Sequence, residues 1–281
     1  MIKFGTAGIP LSAKAQSTEA GIIRVKELGL EAMEVEFVHG VRMKEDKASQ
    51  VQTVAERENI VLTCHAPYYI NLNSAEQEKV TASKLRLIQT ARIAKVLGAT
   101  SIVFHPAFYS GKAKLEVLKK VIEELTSVRE ELAKEDNHII LRPETTGKPT
   151  QFGDLAETIL ISQEVPGVLP CIDFSHLHAR ANGAINTYDE FCVVLEQTAE
   201  GLAESWTENA HFHISGIEYG SKGEKKHLVL KEADLKYKDL IKALVNSGIK
   251  GTVICESPNL EEDAILLQNI YKHYSSHSRS S

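Results

Sequence analysis

VLTCHAPYYINLNSAEQEKVTASKLRLIQTARIAKVLGATSIVFH (61–105) contains one complete repeat of an architecture. It opens on an apolar run, VLTCH, crosses a loop, and continues as a long helical stretch near 75–98. It closes on a second apolar run, SIVFH. Strands that are apolar along their whole length have both faces covered, which is the habit of parallel sheets. A strand, a crossover helix and a second strand form the unit that builds such sheets. Both strands end in a histidine, His65 and His105.

The same alternation extends in both directions. Strand-like segments IKFGTA (2–7), AMEVEF (32–37), HIILRPE (138–144), VLPCIDF (168–174), HFHIS (211–215) and GTVICE (251–256) complete the set. Helical stretches follow them near 16–28, 45–58, 153–163, 187–203, 233–247 and 260–274, and a further one near 113–135 follows SIVFH. Eight β/α units close into a barrel. The expectation is an α/β protein: a single-domain (β/α)8 TIM barrel over 1–275, with a disordered tail at 276–281. Gly29, Gly98 and the Asn246-Ser247-Gly248 turn supply helix stops. Asn73-Ser74-Ala75-Glu76 offers capping residues for the third helix. Segments 65–75, 105–113, 144–153, 174–187 and 214–233 read as long loops at the C-terminal mouth, where barrels keep their chemistry.

Composition narrows the function classes. The chain has 281 residues, 43% of them hydrophobic, and a net charge of −6. No apolar run is long enough to span a membrane, and the start lacks signal-peptide features, so a cytoplasmic location is expected. The acidic balance gives no global basic footprint for nucleic acid. Cys64, Cys171, Cys192 and Cys255 form no CxxC pair and read as buried free thiols. Strand alternation turns Cys64 and Cys255 towards the helices.

Six consecutive strand ends carry a residue able to bind a metal: His65, His105, Glu144, Asp173, His213 and Glu256. Singly, each has an ordinary explanation. Glu144 or Glu256 could be salt-bridged to a basic neighbour such as Arg142, and Asp173 could be a helix cap. Together, at one end of one barrel, they point to a multi-nuclear divalent-metal site. Glu144, between the two halves of the set, could bridge two ions about 3.5–4 Å apart, a spacing suited to in-line attack on phosphorus. His176 shares the DFSHLHA segment with Asp173, whereas His178 reads as a loop histidine. His211 lies deeper on the strand of His213, where a core role is expected. His227 sits in a loop that could close over the mouth.

The segments HAPYYINLNS, VFHPA, RPETTG, CIDFSHLHA, HISG and ICESP resemble the endonuclease IV family of zinc-dependent apurinic/apyrimidinic endonucleases. The resemblance runs through nearly the whole chain and respects the order and barrel position of the motifs. It implies a zinc-dependent hydrolase that cuts the DNA backbone 5′ to an abasic site, with damaged double-stranded DNA as partner and no obligate protein partner. It implies that His65 and His105 hold one ion and that Glu144 bridges it to a second. Asp173, His213 and Glu256 would complete the second site, and Glu144 and Glu256 would be the catalytic carboxylates. It also implies that His176 and His227 hold a third ion. The family's remaining ligand there is an aspartate two residues before the last histidine, a position taken here by Lys225, with Glu224 one residue off. Arg42, Tyr68 and Tyr69 fall at the loops that enter DNA in the family, and Lys225 beside them could meet a phosphate.

Zinc is the metal the resemblance implies, and donors of this kind also accept manganese or another divalent ion. The alternative reading is a sugar isomerase or epimerase using one ion held by Glu144, Asp173, His213 and Glu256. His65 and His105, surplus to such an enzyme, favour the nuclease.

Overall fold

The computed structural model describes residues 1–278. Eight parallel strands form one sheet: β1 (Ile2–Ala7), β2 (Ala32–Glu36), β3 (Val61–His65), β4 (Ser101–Phe104), β5 (Ile140–Pro143), β6 (Cys171–Asp173), β7 (Ala210–Ile214) and β8 (Gly251–Cys255). Their spatial order is β5-β4-β3-β2-β1-β8-β7-β6. The two ends of that row meet through the bridges Leu141↔Val168 and Glu144↔Cys171, which bring the sheet round into a barrel.

Helices α1 (Thr18–Glu27), α2 (Glu45–Glu58), α3 (Gln77–Val96), α4 (Lys114–Ala133), α5 (Leu155–Glu164), α6 (Phe174–Arg180), α7 (Tyr188–Thr207), α8 (Tyr237–Ser247) and α9 (Glu261–Ser278) connect or follow the strands. The main core lies between the strands and this outer ring. Phe4, Met33, Leu62, Cys64, Ile102, Phe212 and Cys255 pack there with helix residues such as Ile22, Val51, Leu87, Val121, Leu240 and Leu267. Cys64 and Cys255 do face the helices. Gly248 ends α8 in the left-handed conformation at φ 69°, as the turn sequence requires.

Several local expectations are corrected. Helix α3 starts after Glu76 without a side-chain cap; Ser74 Oγ instead accepts from the Glu76 N–H. The segment after β6 is not all loop, because Phe174–Arg180 forms α6. The segment after β7 holds an antiparallel hairpin, Gly216–Gly220 against Gly223–Leu228. The loops after β4 and β5 pair through Ala107–Phe108 and Gln151–Phe152. Helix α9 continues to Ser278, and of the expected tail, 279–281 fall outside the described residues.

Candidate metal centre

The parallel register stacks the inward side chains in layers. Asp173 pairs across β6 and β7 with His213, and His213 pairs with Ile254 on β8. One layer down, Cys171, His211 and Thr252 are level in the same way. On the other side of the barrel Glu36 stands opposite His65, and Glu34 opposite Thr63. Donors from distant parts of the chain therefore meet at the mouth because of strand register.

Three donor groups form there, and a fourth, Cys171, His211 and His213, lies one layer down, each with its ligand atoms within 4.8 Å of one another. The first is His65, His105 and Glu144. The second is Glu144, Asp173, His213 and Glu256. The third is His176, His227 and Glu224. Glu144 belongs to two of them. Its Oε2 lies 2.9 Å from His105 Nε2 and 3.4 Å from His65 Nε2, while its Oε1 lies 3.0 Å from His176 Nδ1 and 3.4 Å from His213 Nδ1. Glu256 Oε1 approaches the same His213 nitrogen at 3.3 Å.

Arg142 is not the partner of Glu144. It reaches down to the carbonyls of Pro170 and Asn209, filling the barrel below the site. Asp173 does cap α6, since its Oδ1 accepts the His176 N–H at 2.7 Å. Its Oδ2 makes no well-directed hydrogen bond, lies 3.3 Å from His176 Nδ1, and belongs to the second donor group.

Two observations show that this donor set fits divalent ions. Asp173 Oδ2, Glu144 Oε1 and His213 Nδ1 are fully buried and make no well-directed hydrogen bond, although buried polar atoms are almost always satisfied. All three converge on the second group, where an ion would satisfy them. The charge balance agrees. Burial works to raise the Glu144 carboxyl, but the charges of His105 and His213 hold it well below the usual carboxylate range. Burial likewise opposes the His65 imidazolium, yet hydrogen bonding to Glu144 and the charges of Glu36 and Glu34 raise its pKa to about 10. His213 and His176 are raised in the same sense. Without metal, protons on histidine serve as counter-charges for the carboxylates, a role that divalent ions can take over. Burial pushes Asp173 up to about 7 and Glu36 up to about 8. Glu256, against the same burial, is held at about 2 by His213.

Histidine orientation is set by the second ring nitrogen. His65 Nδ1 meets the Ala66 carbonyl at 2.7 Å, His176 Nδ1 meets that of Thr145 at 3.0 Å, and His227 Nδ1 meets that of Glu256 at 3.2 Å. In each case the Nδ1–H donates and Nε2 is left as the ligand atom.

The third group corrects the reading of the loop after β7. The hairpin pairs Glu218 with Lys226 and Tyr219 with Glu224, so Lys225 is the extra residue of a β-bulge. The bulge shifts the face by one residue and delivers Glu224, with its Oε2 3.6 Å from His176 Nε2. Lys225 instead approaches Glu218 Oε1 at 3.3 Å. The hairpin packs directly on the loop after β5, where the Glu224 N–H donates to the Gly147 carbonyl.

His178 is on α6, not in a loop. It is buried, with Nε2 3.0 Å from Asp234 Oδ1 and its ring against Tyr219. His211 is a core residue that meets Glu34 Oε2 at 3.1 Å. Tyr68 and Tyr69 are 57% and 61% exposed, and the Tyr68 ring lies 5.4 Å from that of His65. Arg42 is exposed between β2 and α2. A cavity of about 330 Å³ opens at the mouth, and Tyr68, Phe108, Lys148, Glu224 and Glu256 are among the residues around it. The sequence reading named Glu224 only as one residue off the expected ligand position, and it missed Glu34 and Glu36. The two acids in AMEVEF, spaced for one strand face inside an apolar run, were the available signal for the last pair.

Residues 22–272 match the xylose isomerase-like TIM barrel family model, and the chain belongs to that family. Among its relatives is an uncharacterized protein of Methanocaldococcus jannaschii, 44% identical over 96% of this chain and 97% of that protein. A probable endonuclease 4 of Mycoplasma pneumoniae is 26% identical over 74% of this chain and 72% of its own length. Two solved structures share the fold at low identity. A D-tagatose 3-epimerase-like protein superposes at TM-score 0.74 with 18% identity, covering 99% of both chains. Endonuclease IV from Thermus thermophilus superposes at TM-score 0.73 with 16% identity, covering 97% of this chain and 99% of that one. The same fold is thus shared by a solved nuclease and by a solved epimerase-like protein. Among the described residues, no helix is long and apolar enough to cross a membrane.

Proposed function

We propose that the protein is a metal-dependent phosphodiesterase that cleaves the DNA backbone 5′ to abasic sites, in the manner of the endonuclease 4 relatives. The observation that carries the reading is the set of three donor groups, two of them joined by Glu144. A one-ion epimerase needs only Glu144, Asp173, His213 and Glu256, which would leave His65, His105, His176, Glu224 and His227 without a task.

Divalent ions bound there, zinc being the one the endonuclease IV resemblance implies, would supply Lewis acidity towards the phosphate and activate water for in-line attack. The chain's own groups do the rest. Glu144 and Glu256, facing each other across His213, orient the attacking water, and Glu256 stays ionised there. Lys148 at the cavity wall offers a cation to the phosphate backbone. Tyr68 and Tyr69 present exposed rings for unpaired bases, and Arg42 supplies a further contact on the neighbouring loop. Lys225, held by Glu218 on the hairpin, serves the backbone rather than a metal.

The deciding assay is cleavage of a duplex with one abasic site by metal-loaded protein, with and without chelator, alongside an ion count. Chelator-sensitive incision with two or three ions per chain is expected. An uncut duplex and one tight ion per chain would transfer the site to the epimerase reading, which Glu36 favours by adding a buried carboxylate with one unpartnered oxygen near His213 and Glu256.

A further inference from the structure

Glu34 is a fully buried carboxylate in the barrel interior, below the mouth, and belongs to none of the three donor groups at the mouth. A charge in that position is costly unless it is paired. Its Oε2 accepts from Thr63 Oγ at 2.7 Å and meets His211 Nε2 at 3.1 Å. Its Oε1 lies 2.9 Å from His213 Nε2 as a close ion-pair contact, and neither atom makes a well-directed hydrogen bond. His213 is the ligand whose other nitrogen, Nδ1, faces Glu144 and Glu256.

We propose that Glu34 is a positioning residue: it takes the Nε2–H of His213, fixes that tautomer and ring plane, and so presents Nδ1 to the ion held by Glu144, Asp173 and Glu256. The proposal rests on that group holding a divalent ion, a premise shared by the nuclease and epimerase readings. His65, His176 and His227 hand their second nitrogen to a neutral main-chain carbonyl. His213 hands its own to a carboxylate, which makes the imidazole a more basic ligand. His211, two residues back on the strand of His213, and Thr63, on the strand next to that of Glu34, occupy the other oxygen and stop the carboxylate from rotating. Strand β2 thereby contributes to a centre whose ligands all come from other strands.

The test is zinc titration against a chromophoric chelator, together with the Co2+ absorption spectrum, for the wild type and Glu34→Gln. Expected is a loss of about 10–100-fold in affinity for one ion, the range seen when outer partners of metal-bound histidines are removed. The Co2+ band should change with it, and the remaining ions should bind as before. Thr63→Val, which keeps the charge and removes the hydroxyl, should give a smaller loss of the same kind, and serves if Glu34→Gln fails to fold. Glu157→Gln is the control. Glu157 is a buried carboxylate that completes a capping box on α5 and bonds Tyr109, away from the ligands, so its loss should lower thermal stability without changing zinc affinity. Wild-type zinc affinities and spectra in both Glu34→Gln and Thr63→Val overturn the proposal, as does an equal loss in Glu157→Gln. A wild-type protein that binds no divalent ion overturns the metal reading itself, and with it this proposal.

Discussion

At the scale of single residues, Glu144 concentrates the most chemistry. Its two oxygens lie within 3.4 Å of four histidine nitrogens belonging to three donor groups. Glu144→Gln keeps the shape but removes the charge and replaces one acceptor oxygen by a donor. It should cost at least one bound ion and cut abasic-site incision by roughly a thousandfold, equivalent to about 4 kcal/mol of transition-state stabilisation. Incision and ion counts at wild-type level in this variant would show that the site is misassigned. Glu144 was legible in the sequence because it ends a strand, and strand ends of a parallel barrel converge. Glu34 was not read, although its segment holds two acids on one face, because its partners His211 and His213 lie far along the chain and meet it only through the barrel's curvature.

At the scale of elements, the hairpin after β7 decides whether the third group exists. A regular strand would put residue 225 on the face of His227, which is where sequence reasoning placed it. The bulge moves Glu224 there instead, and a bulge set by packing on another loop leaves no local sign in the sequence. The packing is tight. A Cβ at Gly147 would lie 2.7 Å from Glu224 Cβ and 3.0 Å from His176 Cδ2, and one at Gly223 would lie 2.2 Å from the Gly147 carbonyl oxygen. Gly147→Ala should therefore push the hairpin outward and remove the ion held by His176, Glu224 and His227, while the other two stay. Glu224→Ala should do the same without disturbing the hairpin. Lys225→Ala should leave the ion count unchanged and weaken DNA binding with a shallower salt dependence. Elemental analysis and binding at two salt concentrations check this. Loss of an ion in Lys225→Ala would mean that the bulge is wrongly placed. Helix α6 escaped the sequence reading for a related reason: the short DFSHLHAR segment is stabilised by the Asp173 cap and by burial of its whole length, not by a helical period.

At the scale of the whole molecule, the barrel gathers so much negative charge at one end that proton and metal binding compete for the same atoms. In the metal-free protein the folded-state pKa of His65 stands at about 10, above its ordinary 6.5. Its contribution to stability is therefore fully present below pH 6.5 and fades as pH rises through 10. Asp173, raised to about 7, carries a proton over the range between its ordinary 3.8 and that value. A metal must displace these protons, so binding below pH 10 releases at least the His65 proton, and below pH 7 that of Asp173 as well. Affinity should then rise about tenfold per pH unit for each proton displaced. Metal bound at a free concentration of 100 times its Kd adds about 2.7 kcal/mol to the folded state. The Tm gap between metal-loaded and chelated protein should accordingly widen from pH 6 to pH 9, since the chelated form loses its histidine contribution while the loaded form binds more tightly. Calorimetric titration with zinc at pH 7.5, in two buffers of different ionisation enthalpy, measures the proton count directly. A count of zero would mean that His65 is neutral before metal arrives, and the charge pool at the barrel mouth would have to be balanced by something other than its histidines.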